Sequence, residues 1–586
     1  MSSLGRMTRG RAGGREGGKT ARESLRRYLR PAAMTCLLVA FPPARPPVLP
    51  PDFDVLITGG TVIDGTGAPR RRADVGISGD RIAAVGDLAG RSAARVVDAT
   101  GLIVAPGFID MLGQSEFTIL GDPRGVSKVT QGITTEVTGE GASAAPVNET
   151  TLAEDRSLYA GWGLTVDWRD LDGYFRRLER SGTPINVASF VGATQVRKYV
   201  MGEVRRAPTS AELARMVARV DTAMTQGAVG LSTALVYAPA VFAQTDELIA
   251  LARAAGRHGG VYATHLRDEG GHIRTALDEA LRIGREADVP VEIWHLKVAG
   301  RANWGRMPRL LAFLDSLRRA GVRIGANSYP YAASATSLSS VIPAWVHVGG
   351  DTALVRRLQD RAVRARVRQQ LARRYGEDNS MRNAGGPTGV LVLGVQNPAL
   401  QRYEGRRLGE IAHEEHRSAY DVLFDILVAD SARTGAAFFS MSEDDVAATI
   451  SASWVGVDTD FGAVAPDGKL GFRTVHPRAF GTFPRILGTY VRERHLLDLE
   501  TAVRKMTGVA ADRFLLQGRG YLREGAFADV TIFDAERVAD RATFEHAAPS
   551  EGIRYVVVNG RFTLDDGQLT GARPGRALRG PGWRPQ

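Results

Sequence analysis

Two histidines in the middle of the chain have the spacing expected of metal ligands. His265 ends the segment VYATH and His295 ends PVEIWH, and both segments are typical of short strands. The two histidines are 30 residues apart, a spacing that accommodates one strand–helix unit, so we expect both rings at the same edge of neighbouring parallel strands. Two imidazoles at strand spacing can share one Zn²⁺ at about 2.0–2.1 Å from each nitrogen. The alternative is that both histidines are structural.

Two further predicted strands end in acidic residues. GITTEVTGEG ends at Glu140 between two glycines, and ASWVGVDTDFGA stops at Asp458 and Asp460. A carboxylate at Glu140 is a candidate third metal ligand, and the alternative is a solvated or arginine-paired loop residue. Asp460 is the better candidate for proton transfer beside a metal-bound water, because Asp458 can lie within the strand and face elsewhere. Capping of a helix or turn is the alternative for Asp460.

Arg478, Tyr329 and Lys297 have side chains that suit substrate binding. The stretch HPRAFGTFPR around Arg478 is expected to be a loop, and a guanidinium can hold a carboxylate through two parallel hydrogen bonds. Surface ion pairing is the alternative. The motif YPY that contains Tyr329 either lines a pocket or packs in the interior. Lys297 lies two residues after His295, so it either contacts substrate or neutralises Asp268.

The composition is that of a globular protein without a nucleic-acid-binding surface. The chain has 586 residues, 44% hydrophobic and 24% charged, so we expect one large domain with one or two smaller parts. Residues 1–50 contribute +8 of the net charge of +11, and 65 basic and 62 acidic residues in the rest leave +3. The folded part therefore lacks the basic stripe of a nucleic-acid reader. Cys36 is the only cysteine, which excludes an intramolecular disulfide and a cysteine zinc ligand in the body.

Residues 1–51 predict a leader that does not belong to the fold. A basic region is followed by the apolar stretch AAMTCLLVAF and then by PPARPPVLPP, which resembles an export signal for the periplasm or the medium. A disordered leader on a cytoplasmic protein, or a true start at Met34, is the alternative. The sequence has no run of 18 apolar residues, so we expect no membrane span.

Both ends of the chain predict short strands with glycine-containing turns. Five segments carry this pattern: 53–67, 74–86, 94–107, 524–535 and 553–567. We therefore expect residues 52–106 and 511–580 to form one composite β-sandwich domain.

The middle of the chain alternates predicted helices with predicted strands. Helical spacing at 246–260, 271–287 and 304–321 is separated by apolar segments of strand length. This alternation favours an α/β fold, a TIM-type (β/α)₈ barrel over residues 107–510. The alternation of helices and strands is interrupted near 340–435, where we expect an inserted lobe.

Taken together, these motifs resemble the amidohydrolase superfamily, and within it the D-aminoacylase (N-acyl-D-amino-acid deacylase) family. The resemblance implies a metal-bearing barrel, a sandwich from both termini and zinc-dependent hydrolysis of an N-acyl amide. By position, His265 and His295 correspond to the family's histidine ligands, Asp460 to its catalytic aspartate and Arg478 to its carboxylate-binding arginine. The resemblance is carried by FDVLITGGTVIDGTG, VAPGFID, QGITTEVTGEG, GLSTALVYAP, VYATHLRDEG, HLKVAG, NSYPY, MSEDDV, HPRAFGTFPR and YVVVNG.

The chain departs from the family pattern at three places. The family's His-x-His pair is replaced by Leu112 and Gln114, so the resemblance implies that a second, weaker metal site is missing. The family's cysteine ligand falls at Gly141, beside Glu140, and a further family histidine falls at Ala193. We therefore expect a single zinc ion, with the carboxylate of Glu140 in place of the thiolate.

The leading hypothesis from the sequence is a mononuclear zinc hydrolase of a non-peptide C–N amide bond. Zinc-bound hydroxide would attack the carbonyl of a small N-acyl amino acid, and Asp460 would move the proton. One alternative keeps the metal but changes the substrate to a cyclic amide, a lactone or a dipeptide. The other is a catalytically dead barrel that acts as a binding protein. The sequence leaves the oligomeric state open.

Overall fold

The computed structural model describes residues 51–373, 378–468, 470 and 474–585. The export signal predicted within residues 1–50 lies outside the described residues. Within them, no helix combines the length and the apolar character needed to cross a bilayer.

The described residues form a closed barrel of eight parallel strands. The third strand in chain order, Asn186–Ser189, continues through Val191–Gly192, and this continuation pairs with the fourth strand, Gly230–Ala234. The barrel closes between its eighth and first strands, where Met111 N–H donates to Val457 O at 3.1 Å and Gly113 bridges Phe461. In chain order, the barrel strands are Phe108–Asp110, Ile133–Thr138, Asn186–Ser189, Gly230–Ala234, Val261–His265, Val291–Ile293, Ile324–Ser328 and Val455–Val457.

Helices connect the barrel strands, as the alternating pattern predicts. Their apolar faces pack on the outside of the strands, while Phe190, Trp294 and Phe514 fill the interior with edge-to-face contacts at 5.4 Å. The barrel helices are Thr118–Gly121, Val126–Val129, Glu149–Glu154, Arg156–Gly161, Leu171–Ser181, Ala193–Met201, Ser210–Thr225, Thr245–Gly256, Ile273–Ala287, Met307–Arg319, Glu443–Ser451, Arg478–Arg485, Leu499–Met506 and Gly508–Arg513, with a π-helical segment at Ile486–Glu493.

Two sheets outside the barrel form the sandwich, and the larger one joins both ends of the chain. In that sheet Ile103–Pro106 pairs antiparallel with Val530–Phe533. Val55, Ile57 and Val530 belong to the buried core of the sandwich. The smaller sheet contains Arg81–Gly86, Asp74–Ser78, Phe53–Thr58 and Ala93–Asp98; the larger contains Gln568–Leu569, Arg561–Asp565, Ile553–Val558, Val530–Phe533, Ile103–Pro106, Thr61–Val62 and Arg71–Arg72.

An inserted lobe interrupts the barrel between its seventh and eighth strands. It has its own hydrophobic core, which includes Leu338, Val392 and Phe438. The lobe strands are Ser334–Ser337, Val390–Leu393 and Gly435–Phe438, and its helices are Gly350–Leu358, Arg361–Leu371, Ser380–Asn383, Leu408–Glu414 and Ala419–Ala429. The predicted fold class is thus confirmed. The domain bounds stay a prediction, and the bound at residue 511 falls inside the helix Gly508–Arg513.

Asp529 ties the sandwich to the barrel. Its carboxylate forms a buried ion pair with Arg519. It also accepts hydrogen bonds from the backbone N–H of Asn559 at 2.8 Å and from Nδ2 of Asn186, on the third barrel strand, at 3.2 Å. Because a buried carboxylate must be paired, this contact fixes how the strand Val530–Phe533, which follows Asp529 directly, meets the barrel.

We expect Asp529→Ala to lower the free energy of unfolding by about 3–5 kcal/mol, because it leaves the Arg519 guanidinium as an uncompensated buried charge. Glu551→Ala is the control, since it removes the exposed partner of Arg541 and should leave the unfolding midpoint nearly unchanged. Urea unfolding followed by circular dichroism measures both variants. Equal midpoints for the two would contradict this role of Asp529.

Candidate metal centre and active site

A carboxylate lies between two imidazoles at one end of the barrel. Glu140 Oε1 is 2.9 Å from His265 Nδ1 and 3.1 Å from His295 Nε2, and the two rings are 4.5 Å apart. One ligand atom from each of the three residues lies within 4.8 Å of the other two, the geometry of a group that can hold a metal ion. His265 is the last residue of the fifth strand, whereas Glu140 and His295 each lie two residues beyond the ends of theirs.

The backbone is bent at these strand ends. His295 and Asp460 adopt φ values of 37° and 45°, in the left-handed region that residues other than glycine rarely occupy. Glu140 lies between Gly139 and Gly141, whose φ values are 99° and 66°. Such conformations persist where the surrounding structure fixes them, and they are found preferentially at functional sites.

The charges at this centre favour a carboxylate that faces an imidazolium at His295 when no cation is present. Burial alone would raise the pKa of the Glu140 carboxyl, but hydrogen bonds from His265 and His295 hold it well below its usual range. Burial and a nearby ammonium lower the pKa of His295, but the surrounding carboxylates outweigh them and raise it to about 10. The centre therefore attracts positive charge, whether as a proton or as a metal ion.

Glu269 and Lys297 support the histidines from the other side. Glu269 Oε1 lies 3.1 Å from His295 Nδ1 and accepts Lys297 Nζ at 2.6 Å, while Glu269 Oε2 is 3.6 Å from His265 Nε2. Lys297 Nζ is also 2.6 Å from His295 Nδ1. The predicted alternative that Lys297 neutralises Asp268 is wrong, because the loop after the fifth strand directs Glu269 towards it instead. The substrate contact of Lys297 stays a prediction.

Asp460 and Arg478 form a buried ion pair beside the histidines. Arg478 Nη1 is 2.8 Å from Asp460 Oδ2, and Arg478 Nη2 donates to Ala335 O at 3.0 Å. Burial raises the pKa of Asp460, and the guanidinium of Arg478 opposes the rise. The predicted loop at this place is wrong: Arg478 begins the helix Arg478–Arg485, and the preceding Pro477 already has helical backbone angles, with φ −57° and ψ −20°.

Tyr329 packs beneath this ion pair. Its ring lies 4.6 Å from the guanidinium carbon of Arg478, and its hydroxyl has no hydrogen-bond partner among the described residues. Of the two interpretations from the sequence, packing under Arg478 describes its contacts; a direct role in substrate binding stays a prediction.

A cavity of about 470 Å³ opens above the centre between the barrel and the lobe. Its walls include the centre itself, apolar side chains such as Leu158 and Trp162, and lobe residues such as Gln396 and Arg433. A small organic molecule fits this volume, and the mixture of apolar walls with a few charged groups is typical of a ligand site.

The structure explains two of the departures from the family pattern. Leu112 is fully buried and belongs to the same apolar cluster as Trp294. A Cβ atom at Gly141 would lie 2.7 Å from both the backbone nitrogen and the Cβ of Ala234. A cysteine therefore does not fit at position 141, whereas the neighbouring Glu140 reaches both histidines.

Sequence reasoning did not predict the contacts that two residues make at the centre. Gln114, which cannot easily bind a metal, donates from Nε2 to Glu140 Oε2 at 2.9 Å and to Asp460 Oδ1 at 2.8 Å. Glu269 was not singled out, although its position four residues after His265 and beyond the same strand end was a usable signal.

We expect Gly141→Ala to destabilise the protein more than Gly163→Ala. The two glycines have nearly equal φ values, 66° and 65°, so both variants bear a backbone strain of about 1–2 kcal/mol. Only position 141 adds a clash, because no described atom lies within 4 Å of a Cβ at Gly163. The clash should add about 1–3 kcal/mol in urea unfolding. Equal losses would show that the space at Gly141 is not restricted.

Comparison with known proteins identifies the family of this chain. The model of the amidohydrolase family matches residues 95–564. The D-aminoacylase of Alcaligenes xylosoxydans xylosoxydans is 39% identical over 532 residues, which cover 90% of this chain and 97% of that protein.

Two solved structures are similar over nearly their whole length. A D-aminoacylase studied for its binuclear metal center, with one-metal activation and second-metal attenuation, has a TM-score of 0.75 and 38% identity, covering 90% of this chain and 100% of that one. The N-acyl-D-glutamate deacylase from Bordetella bronchiseptica, complexed with zinc and a phosphonate inhibitor, has a TM-score of 0.75 and 35% identity, covering 90% and 99%. The resemblance inferred from the sequence motifs is confirmed, and the chain belongs to the amidohydrolase family, in the group that contains the D-aminoacylases.

Proposed function

We propose that this protein is a zinc-dependent hydrolase that cleaves the amide bond of N-acyl-D-amino acids. The observation that carries the proposal is the position of Glu140 Oε1, within hydrogen-bond distance of both His265 and His295. A second support is the Asp460–Arg478 pair, which lines the same cavity. The relatives with D-aminoacylase and N-acyl-D-glutamate deacylase activity suggest the substrate class.

The three side chains fit a single zinc ion. Two imidazole nitrogens and a carboxylate oxygen form a ligand set of catalytic zinc sites, which use three protein ligands and leave one position open. When bound, zinc supplies a Lewis acid that makes water more acidic and polarises the amide carbonyl. Glu269 fits the role of outer partner, because it contacts the ring nitrogen of His295 that faces away from Glu140.

Asp460 is the proposed acid–base group. Its carboxylate accepts a proton when water adds to the amide carbon, and it gives that proton to the nitrogen as the C–N bond breaks, so that the products are a carboxylate and a free amine. The raised pKa of Asp460 suits the first step, because the carboxylate holds the proton more firmly than a solvated aspartate does.

Arg478 is the proposed anchor for the substrate's free carboxylate. Its Nε and Nη1 have no hydrogen-bond acceptor in good geometry among the described residues, although Nη1 is close to Asp460. A guanidinium can add a second anion because it has five N–H donors in a fixed plane. The anchor would place the acylated nitrogen next to the histidines and leave the acyl group in the wider part of the cavity.

We expect the purified protein to contain one zinc ion per chain and to hydrolyse N-acetyl-D-amino acids. His295→Ala should lose both the zinc and the activity, because it removes a ligand. His272→Ala is the matched control, since His272 is exposed, pairs with Asp268 and should leave both unchanged. Elemental analysis and amine release measure the two outcomes. No zinc in the wild type, or equal rates in the wild type and His295→Ala, would defeat the proposal.

Asp460→Asn tests the acid–base step separately from metal binding. We expect zinc content to stay at the wild-type level. The kcat should fall by about 10²–10⁴-fold, because the side-chain amide of the new asparagine cannot accept the proton from water. A wild-type kcat in this variant would remove Asp460 from the mechanism.

We expect the enzyme to prefer an N-acetyl-D-amino acid over its neutral carboxamide. Arg478→Lys keeps the positive charge but loses the planar pair of donors, so it should reduce this preference by about 10-fold, mainly through KM. Arg433→Lys on the lobe side of the cavity is the control and should keep the preference. Comparison of kcat/KM for acids, carboxamides, lactones and dipeptides decides the substrate class, and faster turnover of neutral rings or esters would contradict the deacylase proposal.

A further inference from the structure

The side chain of Gln114 occupies the point where two carboxylates of the site come together. Its Nε2 atom lies 2.9 Å from Glu140 Oε2 and 2.8 Å from Asp460 Oδ1. Glu140 uses its other oxygen for the two histidines, and Asp460 uses its other oxygen for Arg478. Gln114 therefore links the proposed metal ligand to the proposed acid–base group.

Electrostatics fixes the orientation of this amide. Ionised carboxylates only accept hydrogen bonds, so the Gln114 group that faces both of them must be the NH₂ group, with one N–H for each oxygen. Two carboxylates directed at one point repel each other unless a donor or a cation lies between them. In this protein a neutral donor fills that point.

The backbone holds Gln114 at this point. Gln114 N–H donates to Phe461 O at 3.1 Å, and Asp460 N–H donates to Leu112 O at 2.9 Å, so the segments that carry Gln114 and Asp460 pair beyond the ends of the first and eighth strands. The Gln114 side chain is exposed to the cavity, so dissolved cations can reach it.

We propose that Gln114 takes the place of a second cation between Glu140 and Asp460 and thereby limits the centre to one metal ion. The inference rests on the proposed function and adds the residue that sets the metal count. The NH₂ group has no lone pair to offer a metal, and its hydrogens present positive charge to an approaching cation. By holding both carboxylates, Gln114 also positions Asp460 without contributing a ligand.

Gln114→Glu tests this inference, because it replaces the donor with an oxygen of the same shape and leaves three carboxylate oxygens around one point. Native mass spectrometry in excess zinc should show one zinc per chain in the wild type and two in Gln114→Glu. Gln396→Glu is the matched control. It adds the same charge to the same cavity, but Gln396 donates to Gly394 O instead of a carboxylate, so this variant should bind one zinc.

Gln114→His is a second variant in case Gln114→Glu does not fold, because its ring nitrogen can also serve as a ligand. A second zinc in either folded variant, with one in the wild type and one in Gln396→Glu, supports the inference. Two zinc ions in the wild type, one zinc in every folded Gln114 variant, or two in Gln396→Glu would overturn it. A wild type without zinc would overturn the proposed function, and this inference with it.

Discussion

The site depends on one carboxylate oxygen shared by two imidazoles. Glu140 Oε1 reaches both His265 and His295 only because three parallel strands end at the same edge and two glycines let the chain turn on either side of Glu140. The negative charge of a buried carboxylate needs a compensating positive charge nearby. Beside two buried imidazoles, that charge comes either from protons on the imidazole rings or from a bound cation. The remaining features of the site can be read as consequences of this arrangement.

Charge balance connects the centre to its surroundings. Glu140, Glu269 and Asp460 bring three negative charges into one buried region, and Lys297 and Arg478 bring two positive charges. With neutral imidazoles the region has one negative charge in excess, so a bound cation is favourable. Lys297 pairs with Glu269, and Arg478 pairs with Asp460. These ion pairs keep both carboxylates in position while the cavity stays open to a substrate.

The sequence predicted the architecture and the residues that lie at strand ends, because those depend on local patterns. Alternating helices and strands indicated the barrel, and the positions of His265 and His295 indicated a shared edge. Contacts between distant segments could not be predicted in this way. The pairing of Gln114 with Asp460 arises only when the barrel closes, and the partner of Lys297 depends on how the loop after His265 turns towards Glu269. The helix at Arg478 was missed because its short, proline-containing sequence has little helical periodicity.

The most direct test is X-ray absorption spectroscopy at the zinc edge of the purified protein. We predict a first shell of nitrogen and oxygen atoms alone at about 2.0–2.1 Å, with outer-shell scattering from two imidazoles. His265→Ala should lose the zinc signal altogether, as His295→Ala does, because it removes a ligand. A sulfur shell at about 2.3 Å, or scattering without two imidazoles in the wild type, would contradict the assignment of Glu140, His265 and His295 as the metal centre.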